Sequence, residues 1–108
     1  MKLGLFGGTF DPIHMGHLIV AEEARTRLCL DEVVFVPAGQ PWLKEGIEIA
    51  EGRHRLAMVS LAVRSNPAFR VSDVEIERPG PSYTVDTLAQ LRSWLGPEAG
   101  IHVILGMD

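Results

Sequence analysis

Apolar positions fall along the chain in four short runs, each closed by turn residues and separated by stretches with helical spacing. Residues 2–6 form the first run, four of the five being apolar or glycine, and Gly7-Gly8 ends it, which predicts a buried strand. Over residues 15–28, Leu18, Ala21 and Leu28, or Val20, Ala24 and Leu28, recur at helical intervals, with Glu22, Glu23, Arg25 and Arg27 on the wet side. Asp31-Glu32 break that pattern, and the β-branched run 33–36, stopped by Pro37, reads as a second buried strand. Residues 51–64 predict a second helix with Leu56, Val59 and Val63 inward, and 69–71 a third strand. Residues 74–78 alternate apolar and charged, the pattern of an extended edge or connection with one wet face. After Pro79-Gly80-Pro81, residues 85–91 predict a third helix, capped by Ser82 or Thr84 and with Asp86 near its positive end. Residues 101–105 are the fourth buried strand, with Gly106-Met107-Asp108 as its closing turn.

The order βαβαβαβ predicts one α/β domain over residues 1–108, a doubly wound parallel sheet of about four strands and three helices. In such sheets ligands collect at the carboxyl ends of the strands, near the point where strand order reverses. His14, Lys44, Thr84 and Asp108 each follow a different strand and are expected at that edge. Residues 38–49, with Gly39, Pro41 and Gly46 around Trp42 and Lys44, read as an irregular loop.

Composition narrows the partners. A hydrophobic content of 46% in 108 residues supports a real core. Fourteen acidic residues face ten lysines and arginines with no cationic block, so the stripe that displaces counterions from a nucleic acid is missing and none is expected as a partner. Cys29 is single, which excludes an intrachain disulfide and fits a cytoplasmic protein, and it reads as a small hydrophobe on an apolar helix face. The apolar start breaks at Gly7-Gly8 and meets Asp11, too soon for a signal peptide. The later run 56–63 is far short of the roughly 20 residues that span a bilayer, so no membrane partner is expected.

Candidate chemistry sits at the first turn. Two glycines after a strand let backbone amides approach a phosphate, and the helix that follows adds partial positive charge at its N-terminus. His14 and His17, three apart at the helix start with Gly16 between them, place two imidazoles within one turn where a phosphate would lie. Helix-start histidines also serve as caps or metal ligands; a zinc site wants three or four ligands, and no cysteine or third histidine is near. Asp11 is open to three readings: serving a cation, fixing the turn or stopping the strand. His54 and His102 have no motif behind them.

The stretch Gly7-Gly8-Thr9-Phe10-Asp11-Pro12-Ile13-His14-Met15-Gly16-His17 resembles the signature of the nucleotidyltransferase superfamily with an (H/T)-x-G-H motif. That superfamily includes mononucleotide adenylyltransferases, phosphopantetheine adenylyltransferase and the glycerol-phosphate and choline-phosphate cytidylyltransferases. Ser82-Tyr83-Thr84-Val85-Asp86-Thr87-Leu88 is similar to the S-Y-T-x-D-T-L segment of bacterial nicotinate mononucleotide adenylyltransferases. Val36-Pro37, Lys44, Arg55-Leu56-Ala57-Met58 and Gly106-Met107-Asp108 also match in order, so the resemblance covers the whole chain.

The resemblance implies a Rossmann-like nucleotidyltransferase fold and transfer of the adenylyl group of ATP to nicotinate mononucleotide, giving nicotinate adenine dinucleotide and pyrophosphate. It implies that His14 and His17 are catalytic and bond the ATP phosphates, with Gly8, Thr9 and Phe10 holding oxygens through their amides. Lys44 would reach a phosphate, Gly106 and Asp108 would contact the adenosine side, and Tyr83 and Thr84 would read the acceptor. Magnesium is expected on the phosphates rather than on protein ligands. The family continues past its G-x-D turn into an I-S-S-T-x-I-R-like phosphate-binding segment. The expectation is therefore an amino-terminal portion of such an enzyme, with an exposed fourth strand that invites self-association. Two alternatives follow: a non-catalytic mononucleotide-binding fragment, or a related adenylyltransferase acting on phosphopantetheine.

Overall fold

A computed structural model describes residues 1–39, 51–78 and 84–105. Its spine is β1 (Lys2–Gly8), which pairs in parallel with β2 (Glu32–Pro37) on one side and β4 (Gly100–Leu105) on the other; β3 (Phe69–Val71) pairs in parallel with β2. The strand order is β3-β2-β1-β4. All four strands are parallel, so each is joined to the next by a crossover: α1 (Met15–Arg27), α2 (Gly52–Val63), and the pair α3 (Val74–Glu77) and α4 (Thr84–Leu95).

Alternation along β1 divides the core. Phe6 faces a cluster with Phe10, Ala21, Leu30, Val33, Phe35, Val59, Val63, Phe69 and Ile104, while Leu3 and Leu5 face Val34, Val36, Val74 and Leu91. Helices α1 and α2 cover the first face and α3 and α4 the second, which is the doubly wound arrangement predicted. Strand order reverses at β1, whose two neighbours follow it by different crossovers, so the turn after Gly8 lies at the switch point.

Four expectations need correction. Residues 74–78 are not one extended segment: Val74–Glu77 form one helical turn, closed by the Glu77 amide donating to the Asp73 carbonyl at 2.9 Å, and only Arg78 beyond it is extended. Four residues are too few to separate a period of two from one of 3.6, and burying Val74 against Leu91 favours the turn. Val20 and Leu28 are exposed, because α1 turns inward on His17 and Ala21, and Leu30 beyond it fills the core instead. In α2 the fully buried side chain near the N-terminus is Arg55, with Leu56 only half-buried. Cys29 is exposed and past the helix end, at φ 55°.

Candidate active site

The segment after β1 must reverse the chain within a few residues. Phe10 does this at φ 51°, a left-handed conformation costly for a bulky residue, and the Asp11–Pro12 peptide is cis. Its ring is 3% exposed, with centroids 5.4 Å from Phe6, 5.8 Å from Phe35 and 5.0 Å from His17. Core packing thus holds the turn in shape, with Gly8 and Thr9 half-buried at the strand's end.

His14 is the N-cap of α1 and His17 its third residue. The Gly16 amide donates to Nδ1 of His14 at 3.1 Å, and the His14 amide donates to Nδ1 of His17 at 3.0 Å. The arrangement is a reciprocal capping box built from two imidazoles. A backbone N–H can only donate, so each Nδ1 must be the unprotonated nitrogen and each ring carries its proton on Nε2. The rings stack at 3.8 Å with 29° between planes. His17 is buried, edge-on to Phe6 and Phe10, while His14 is exposed. Gly16 is needed for the stack: a Cβ there would sit 2.9 Å from Cε1 and 3.0 Å from Nδ1 of His14. Its missing side chain makes room for the imidazole itself.

Beneath the turn lies a residue that the sequence reading passed over as a ligand-site candidate. Arg55 is 1% exposed, and its Nη1 donates to the Thr9 carbonyl at 2.9 Å. Nη2 reaches the Gly39 carbonyl, on the loop after β2, at 3.5 Å. Burial pushes its pKa below the ordinary arginine value, and the Asp11 carboxylate pulls it back up. An arginine one turn into a helix carries no local sign of burial; the signal available was its place on the same helical face as Val59 and Val63.

Of the predicted site residues, Gly8, Thr9, Phe10, His14 and His17 come together at the carboxyl end of β1. Thr84 opens α4, whose course is tied to α3: Thr87 Oγ1 donates to Glu75 at 2.6 Å, and Arg78 donates to Thr87 at 3.2 Å and to Gln90 at 2.8 Å. Lys44, Tyr83, Gly106 and Asp108, with Trp42, lie outside the described residues. Among the described residues no group of three or more His, Cys, Asp or Glu could hold a metal ion, and no helix is long and apolar enough to cross a membrane.

Comparison with known proteins gives a consistent picture. The family model for cytidylyltransferase-like proteins matches residues 5–105. A probable nicotinate-nucleotide adenylyltransferase of Dehalococcoides mccartyi is 52% identical over 108 residues, covering 100% of this chain and 53% of the relative. One of Arthrobacter sp. is 53% identical over 102 residues, covering 94% of this chain and 49% of its own. The chain therefore spans about half the length of the curated relatives it matches. In fold it is similar to the Plasmodium falciparum nicotinic acid mononucleotide adenylyltransferase solved with NaAD, at TM-score 0.75 and 19% identity, over 94% of this chain and 50% of that one. Because the family match runs from the first strand through the fourth and takes in the histidine turn, the chain belongs to the cytidylyltransferase-like family.

Proposed function

We propose that the protein joins nicotinate mononucleotide to magnesium-ATP, giving nicotinate adenine dinucleotide and pyrophosphate. The observation that carries the proposal is the pair of stacked imidazoles on the first turn of α1, each fixed by a backbone amide in the Nε2–H form. Two N–H donors at a helix N-terminus suit a polyphosphate. The choice of substrates comes from relatives at about half identity named nicotinate-nucleotide adenylyltransferases.

The attacking group is a phosphate monoester with a second pKa of about 6, so it is ionised at neutral pH and needs no general base. Its oxygen adds to the α-phosphorus of ATP in line, while the bond to the bridging oxygen breaks and pyrophosphate leaves with the electron pair. Alignment and compensation of developing charge are what the site must supply. His14 and His17 donate to the reacting phosphates, and the amides of Gly8, Thr9 and Phe10 hold oxygens. Lys44 is assigned a phosphate, Gly106 and Asp108 the adenosine, and Tyr83 and Thr84 the nicotinate mononucleotide. These five assignments rest on the motif match.

The test is pyrophosphate release by the full-length protein. Turnover is expected with nicotinate mononucleotide and magnesium-ATP, and should be poor with nicotinamide mononucleotide or phosphopantetheine. Equal or greater turnover with phosphopantetheine, or with CTP in place of ATP, overturns the assignment. Residues 1–108 alone are expected to turn over weakly or not at all, since the relatives are about twice as long.

A further inference from the structure

We infer that Arg55 is a positioning residue that locks the phosphate turn after β1 to the backbone just past β2, at Ala38 and Gly39, so that these two stretches stand as one unit at the proposed nucleotide edge of the sheet. Its guanidinium is buried where neither loop's sequence calls for a cation, and it bonds a backbone carbonyl of each: Thr9 at 2.9 Å and Gly39 at 3.5 Å. The planar fork suits this task, because its donors diverge at fixed angles and reach two carbonyls that a single ammonium could not serve together.

Both partners are themselves pinned. The Ala38 amide donates to the Gly8 carbonyl at 2.8 Å, extending the β1 and β2 pairing into the loops. Gly39 packs closely on α3: a Cβ there would lie 2.1 Å from the Glu75 carbonyl oxygen, so only glycine fits at this contact. Asp11, at the far side of the turn, raises the guanidinium's pKa and so offsets part of the cost of burying it. By bonding the Thr9 carbonyl from beneath, the guanidinium satisfies an acceptor of the turn and leaves donation to the amides, the groups that an oxyanion requires.

The inference rests on the adenylyl-transfer reading for its catalytic consequence, not for its structural one, so two measurements separate them. Backbone amide shifts of the ligand-free protein report the coupling of the loops. In Arg55→Lys, the amides of Thr9, Phe10, Ala38 and Gly39 should all move while those of β3 stay. In Asp11→Asn, whose own neighbours shift trivially, the amides of Ala38 and Gly39 on the other loop are the diagnostic pair. Should Arg55→Lys not fold, Asp11→Asn decides alone. Ala38 and Gly39 amides unchanged in a folded variant overturn the inference.

Binding of inorganic tripolyphosphate should weaken in both variants. With magnesium-ATP, kcat/KM of Arg55→Lys should fall roughly 100-fold, the scale of a misplacement of about 1 Å, with kcat falling more than KM rises. Full rescue by lysine would show that charge alone matters and would refute the role of the fork. If the wild-type protein transfers no adenylyl group yet the loop amides move together, the functional reading fails and the positioning role stands.

Discussion

Replacing Gly16 by alanine separates what the first turn of α1 does for stability from what it does for chemistry. The new Cβ would sit 2.9 Å from Cε1 of His14. Ordinary carbon contacts are about 3.5 Å or more, so the ring must move by about 0.6 Å. That motion is cheap in itself, since an imidazole is the far end of a side chain, but it strains the 3.1 Å bond from the Gly16 amide and the 3.8 Å stack on His17. Losing a cap costs about 1 kcal/mol and loosening a ring pair costs about 0.5–1.5 kcal/mol. Against this, alanine is preferred to glycine in a helix by up to about 1 kcal/mol. The gain offsets only part of the loss, and the net destabilisation should be about 1 kcal/mol, a small shift in a urea unfolding midpoint. Catalysis has no such offset. A misplacement approaching 1 Å can lower a rate by about 100-fold, so kcat/KM should fall on the order of 10-fold to 100-fold. Steady-state pyrophosphate release and urea unfolding on the same preparation decide the matter. If Gly16→Ala keeps kcat/KM within about twofold of wild type, the orientation of His14 does not govern the reaction and the role given to the stacked pair is wrong.

Three further outcomes are expected. His17→Ala should lower kcat by about 10²–10³ while raising the KM for nicotinate mononucleotide far less, because its donor matters most in the transition state; a pure binding defect in initial-rate kinetics contradicts this. Thr87→Val removes a 1%-exposed hydroxyl that donates to Glu75 and accepts from Arg78, and should cost about 1–3 kcal/mol in urea unfolding. Glu22 has a lowered pKa because Arg25 bonds it and Asn66 donates to it at 3.0 Å, with burial opposing. A depressed folded-state pKa stabilises above the ordinary value of 4.5 and is lost as pH falls through the folded value. The stability gap between wild type and Glu22→Gln, measured by unfolding across pH, should therefore be widest near neutrality and close on acidification.

Particular residues show what the sequence could and could not disclose. The runs 33–36 and 3–6 announced their strands because burial on both faces leaves no polar position to confuse the period. The spacing of the histidines placed two imidazoles on one turn at the start of α1, but not that each caps the helix through Nδ1, since that depends on backbone directions fixed only once α1 packs on Phe6 and Phe10. Residues 74–77 misled because their acids alternate with apolar side chains, yet the fold uses the Glu75 carboxylate for Thr87, twelve residues on. Arg55 stayed hidden for a similar reason. Its partner Thr9 is 46 residues earlier, and no window along the chain contains both.

The same long-range packing explains how a strained turn can stand ready without a ligand. A left-handed backbone at Phe10 costs roughly 1–2 kcal/mol, which local sequence does nothing to relieve. Burying a phenylalanine side chain contributes about 1.5–3 kcal/mol, and the Phe10 ring is 3% exposed between Phe6, Phe35 and His17. Burial wins, and the Arg55 bond to Thr9 adds to it from below. If the turn holds phosphate as proposed, the energy released on binding is not spent on building it. In the proposed reaction it remains for holding the reacting groups in line and meeting the charge that develops, since an already ionised nucleophile asks for no base.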